Sequence, residues 1–114
     1  MLIDGNKIAG VYTNEEEKPV ADTVIGAAGK MLMPGFIDVH CHGNSGYDFS
    51  DADQDGMNAM CLAKLKEGVT SWLPTTLTLP EEELAAALKT AEVYSSSGII
   101  GAKVPGIHLE GPYI

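Results

Sequence analysis

From Pro34 onward the chain alternates short apolar runs with segments of helical period, and this alternation restricts its fold more than any other feature. "FIDVHCH" (36–42), "VTSWLPTT" (69–76) and "AKVPGIHLE" (102–110) read as strands, with β-branched residues between turn-forming ones. Between the first two, Met57, Met60, Cys61 and Leu65 recur at helical spacing from Asp53, and Gly68 closes the segment as a C-terminal cap. Between the second and third, Thr78-Leu-Pro-Glu81 has the form of a capping box with proline in the first turn. The helix it opens carries Leu84, Leu88 and Ala91 on one face and ends near Gly98. Strands alternating with helices of these lengths imply parallel strands joined by right-handed crossovers, an α/β architecture. Parallel strands need helices on both faces, or closure into a barrel. Three strands and two helices achieve neither, so the pattern is that of an incomplete α/β fold.

Residues 1–33 read differently. "MLID", the turn signal Asp4-Gly5-Asn6 and "KIAGVYT" predict a β-hairpin. "NEEEKP" (14–19) is a solvated acidic turn, "ADTVIGA" (21–27) a further strand, and Ala28-Gly29-Lys30 another turn. The expected division is therefore 1–33 and 34–114.

The candidate chemistry gathers at strand ends. His40 and His42 stand two residues apart, so they share a strand face and lie roughly 6.5 Å apart along it. Both can lean toward one cation beyond the strand end, where the chain bends at Gly43, and neutral imidazole suits zinc, iron and similar metals. Asp38 has the same parity and is placed to orient an imidazole N–H from behind. A bare His-x-His also occurs by chance on surface strands, but this pair sits at the C-terminal end of a crossover strand, where α/β folds place their chemistry. Glu110 ends the third run in the same way, immediately before Gly111-Pro112, and can complete a His, His, Glu set or bind a metal independently. A solvated strand-end glutamate is the ordinary alternative. His108, one step below that end, reads as a packed or supporting group rather than a direct ligand. Trp72 reads as core, and Thr75 and Thr76 as residues of a pocket mouth. The run Asp48, Asp51, Asp53, Asp55 lacks EF-hand spacing, and helix capping accounts for part of it.

Charge narrows the partners. Seven lysines, no arginine and sixteen acidic residues give a net charge of −9, which repels nucleic acid and offers no basic stripe for phosphates. The absence of arginine also removes any bidentate phosphate fork from this segment. No apolar stretch approaches the ~20 residues of a membrane span, and the N-terminus lacks the pattern of a signal peptide. Cys41 and Cys61 fit neither a disulfide framework nor a zinc knuckle. A cytoplasmic protein is expected.

"PGFIDVHCHG" resembles the first-strand signature of the amidohydrolase superfamily. Together with "GVTSWLPTT" and above all "GIHLEGPY", the chain is similar to the N-acetylglucosamine-6-phosphate deacetylases along essentially its whole length. That resemblance implies a metal-bearing (β/α)8 barrel plus a small β-sandwich. Residues 1–33 would be the N-terminal share of the sandwich, and 34–114 the first β-α-β-α-β part of the barrel. It implies Glu110 as principal metal ligand and His40 and His42 as ligands of a second metal position. Family members that replace the pair by Gln and Asn work with one metal, so both histidines here imply a site capable of holding two. The metal would be zinc or iron, with manganese or cobalt as alternatives.

The implied reaction is hydrolysis of the N-acetyl group of a small amino-sugar phosphate to glucosamine 6-phosphate and acetate. The general base, an aspartate on the last barrel strand of the family, falls beyond this segment, so no catalytic acid or base is assigned within it. The expectation is an inactive segment of a deacetylase, homo-oligomeric or otherwise covered because its strands would leave apolar faces and an unpaired edge. Two alternatives stand beside it: a cyclic amidase on the same barrel, and a non-enzymatic module that binds metal or a partner.

Overall fold

The computed structural model describes residues 1–13 and 15–113, and it divides into two compact units, Met1–Met33 and Pro34–Ile114. Asn14, the first residue of the expected acidic turn, and Ile114 lie outside the described residues.

In the first unit β1 (Leu2–Asp4) and β2 (Lys7–Gly10) form an antiparallel hairpin. Gly5 adopts φ +58°, the left-handed conformation that a two-residue turn needs, and Asp4 sits opposite Lys7 across it. Lys30 N–H donates to the Ala27 carbonyl at 3.0 Å, closing the expected turn around Gly29. The expected strand over 21–27 does not form. A strand needs a neighbouring edge for its backbone groups, and here Val24 and Ile25 stay exposed instead of pairing.

The second unit is α/β. β3 (Phe36–Cys41) leads into a short hairpin, β4 (Gly43–Asn44) and β5 (Tyr47–Asp48), then a 3₁₀ turn at Phe49–Asp51. α1 (Gln54–Lys66), β6 (Val69–Pro74) and α2 (Glu81–Ser96) follow. β3 and β6 are parallel, with α1 as the crossover between them. The polar stretch after His42 is therefore structured. Asp48 and Asp51 cap the 3₁₀ turn reciprocally, and Asp53 caps α1 by accepting from the Asp55 N–H at 2.9 Å.

Two further expectations about the second unit's elements are corrected. The third strand is present only as isolated parallel bridges, Ser71 with Lys103 and Thr75 with His108. Pro105 between them has no N–H to donate, which interrupts the ladder. The capping box at Thr78 is also absent. Pro80 is the N-cap of α2 without a side-chain bond, and the Thr78 hydroxyl donates to the Glu110 carbonyl at 3.3 Å. Three glutamates in the first turn still favour that helix end through its dipole.

Trp72 of β6 lies at the heart of the core with Met57, Met60 and Cys61 of α1 and Ala87, Ala91 and Tyr94 of α2. Burying each large side chain contributes ~1.5–3 kcal/mol. On α1 the buried stripe continues to Lys64, whereas Leu65, expected there, is exposed. On α2 Leu84 and Leu88 are half-buried beside the fully covered Ala87 and Ala91. Among the described residues no helix is long and apolar enough to cross a membrane.

Candidate metal centre

β6 is the central element of the second unit. On one side it pairs with β3, and on the other with the 103–108 stretch, through Trp72 N–H to Lys103 O at 2.9 Å and His108 N–H to Pro74 O at 3.0 Å. The C-terminal ends of all three runs consequently lie at one rim. His40 belongs to β3 and His42 follows it. Gly43 then turns the chain into the β4–β5 hairpin, at a place where a Cβ would meet the Tyr47 carbonyl oxygen at 2.0 Å. Only glycine lets the backbone return so closely behind His42.

At this rim His40 Nε2 lies 3.2 Å and His42 Nε2 3.1 Å from the same oxygen, Glu110 Oε2. One ligand atom from each of the three residues falls within 4.8 Å of the others. The Glu110 oxygen is itself shielded from solvent and makes no aligned hydrogen bond among the described residues, although two imidazole nitrogens stand within reach. Nδ1 of His42 is likewise buried and unbonded. Lone pairs converging without a shared proton repel one another, whereas a cation among them turns each contact into coordination. Two imidazoles and a carboxylate are a fitting donor set for zinc or iron. The side chains remain partly open to water.

His108 lies beside this set. Its ring stacks edge-on against His40 with centroids 4.6 Å apart, and its Nδ1 is 3.0 Å from the Val39 carbonyl. Because a carbonyl can only accept, that contact puts the proton on Nδ1.

A chain from Bacillus subtilis described as N-acetylglucosamine-6-phosphate deacetylase is 36% identical over 98% of this chain and 29% of its own length. An N-acetylgalactosamine-6-phosphate deacetylase of Escherichia coli is 42% identical over 91% of this chain and 27% of its own. The crystal structure of N-acetylglucosamine-6-phosphate deacetylase from Pasteurella multocida superposes with a TM-score of 0.63 at 36% identity, covering 71% of this chain and 21% of that one. The chain is homologous to the amino-terminal portion of N-acetylglucosamine-6-phosphate deacetylases. It spans under a third of the length of these deacetylase relatives. No family model matches it.

Within this deacetylase-like segment Asp38 does something other than expected. Its Oδ1 accepts from the His40 backbone N–H at 3.1 Å and its Oδ2 from Lys64 Nζ at 2.7 Å, so it holds the backbone of His40 and no imidazole. Burial pushes the Asp38 carboxyl up, but the bonds from Lys64 and the His40 N–H outweigh it and leave the group below the usual carboxylate range. Burial likewise works against the Lys64 ammonium, and Asp38 with help from Cys41 more than restores it, above an ordinary lysine. The Lys64 side chain is only 8% exposed and lies 5.6 Å from the Trp72 ring centroid. Sequence reasoning missed this lysine, yet a signal existed. Positions 57, 60, 61 and 64 follow i, i+3, i+4, i+7, which sets a charge on the buried stripe, and such a charge needs a partner.

Proposed function

We propose that the protein to which this chain belongs removes the N-acetyl group of N-acetylglucosamine 6-phosphate, with His40, His42 and Glu110 holding a divalent metal. The reading rests on one observation above all: two imidazole nitrogens meeting one shielded, unbonded carboxylate oxygen at the rim of a parallel sheet. Homology to deacetylases of that name supports the substrate.

When bound, a zinc or iron ion supplies Lewis acidity toward the amide carbonyl and lowers the pKa of a water. The protein's own residues provide the binding geometry. Asp38 and Lys64 fix the backbone of His40, and His108 packs against its ring. Asp38 is committed to Lys64 and is badly placed to accept a proton from water. The general base is assigned to an aspartate outside these 114 residues, and the isolated chain is accordingly without turnover. Residues 34–114 belong to the start of a metal-dependent (β/α)8 barrel, with the third strand reduced to bridges around Pro105, and 1–33 to the N-terminal share of a small β-sandwich. The protein is a cytoplasmic, homo-oligomeric enzyme of amino-sugar catabolism.

A second sugar is favoured by a specific finding, since the 42% identical relative is named for N-acetylgalactosamine 6-phosphate. Acetate release from the two sugar phosphates by the longer protein distinguishes them. The metal reading is checked on the chain itself by zinc analysis after dialysis. Zinc is expected to be retained by the unsubstituted chain and lost from Glu110→Gln; equal zinc content in both overturns the assignment.

A further inference from the structure

Thr75 and Thr76, expected at a pocket mouth, are both fully buried, with 0% of their surface exposed. They stand just past Pro74, the last residue of β6, between the two strand ends that carry the metal-binding side chains. Thr75 serves the histidine side. Its N–H donates to the Cys41 carbonyl at 2.9 Å, and its Oγ1 accepts from the Cys41 N–H at 3.0 Å. The same hydroxyl donates to the Leu73 carbonyl at 3.3 Å, which fixes the direction of its proton. Thr76 serves the glutamate side. Its N–H donates to the His108 carbonyl at 3.1 Å, and its Oγ1 accepts from the Glu110 N–H at 3.2 Å.

Cys41 lies between His40 and His42, so neighbouring residues send their hydroxyls to opposite edges of β6, each to the backbone of a segment bearing ligands. A hydroxyl here replaces the backbone partner that a regular ladder would supply. Threonine is suited to this because its branched Cβ limits rotation, and complete burial removes what freedom remains.

We propose that Thr75 and Thr76 form a two-hydroxyl clasp that sets the separation between the His40/His42 strand end and Glu110, and are thus positioning residues for the metal centre. The proposal rests on the metal reading given above. Outer groups that orient ligands are worth about 10–100-fold in metal affinity, and that is the loss expected on removing a hydroxyl while keeping its shape.

The test is a Co2+ titration of the chain and its Thr75→Val, Thr76→Val and Thr76→Ser variants, followed by visible absorption, with amide hydrogen exchange on the metal-free forms. The valine variants are expected to bind Co2+ about 10–100-fold more weakly with an altered d–d spectrum. Thr76→Ser is expected to keep the affinity and spectrum of the unsubstituted chain. Exchange should quicken at Cys41 in Thr75→Val and at Glu110 in Thr76→Val. Valine variants with unchanged Co2+ affinity and spectrum overturn the positioning role. So does a Thr76→Ser variant that binds Co2+ about 10–100-fold more weakly than the unsubstituted chain, an outcome that is read even if valine prevents folding. Failure of the unsubstituted chain to bind Co2+ removes the metal reading and the positioning role with it. In that case unchanged amide exchange in the valine variants also removes the clasp.

Discussion

Lys64 and Asp38 show how a single residue can carry more of the site than its position in the sequence suggests. The ammonium is nearly enclosed, its carboxylate partner is partly open, and the carboxylate's second oxygen holds the amide of His40. Removing one member of a fully buried ion pair costs ~3–5 kcal/mol because the other charge is left stranded. With Asp38 on the wetter side, the cost of Lys64→Met is expected to be on the order of 2 kcal/mol. The double substitution Lys64→Met with Asp38→Asn should recover most of it, since no charge is then left without a partner. Urea unfolding of these two variants beside the unsubstituted chain checks this, and a double variant as unstable as the single one counts against it. His40, His42 and Glu110 were legible as ligand types in the sequence. Asp38 was legible as a residue on their side of the strand, but its partner was not, because Lys64 comes from a helix 26 positions away.

At the scale of elements, α1 and α2 meet β6 around Cys61, Trp72 and Tyr94. Trp72 Nε1 donates to Cys61 Sγ at 3.3 Å, and the Tyr94 hydroxyl donates to the Ala102 carbonyl at 2.9 Å. Burial pushes the Cys61 thiol up, more than Tyr94 and Trp72 hold it down. Burial, with Cys61 beside it, also pushes the Tyr94 phenol up. Both groups therefore stay protonated in the folded chain at a pH where the unfolded chain has begun to ionise. Their contribution is complete below the unfolded values, near pH 8.5 for thiol and ~10 for phenol, and declines as pH rises past them. Thermal melting is expected to show falling stability above roughly pH 8.5, with a shallower decline in Tyr94→Phe. An equally steep decline in that variant contradicts the assignment. The helices themselves were readable from period and caps, because α1 starts at an aspartate cap and stops at Gly68, whose φ of +86° ends it. The start of α2 was misread, since Thr78, the supposed cap, turns its hydroxyl toward Glu110 across the sheet instead.

Taken whole, the second unit covers its sheet incompletely. Ile37 is 69% and Val39 59% exposed on β3, and Phe36 and Leu109 are open as well. Apolar surface of this kind binds an apolar fluorescent dye. The chain is expected to enhance such a dye's emission, and Ile37→Lys with Val39→Lys to remove most of the enhancement while far-UV circular dichroism is retained. Undiminished emission in that variant places the dye elsewhere. The sequence by itself determined the β-α-β-α order, the hairpin at the start, the acidic balance and the residue types at the strand ends. These depend on local period, turn chemistry and composition, which neighbours in the chain decide. Only the tertiary structure decided that His40, His42 and Glu110 meet at one oxygen, that Lys64 turns inward, and that Thr75 and Thr76 bind both flanking segments. Each of those contacts joins residues far apart in the chain, and its geometry follows from how the strands are set side by side. The same reason explains the failed strand at 21–27, because pattern supplies a willing backbone but only packing supplies an edge for it.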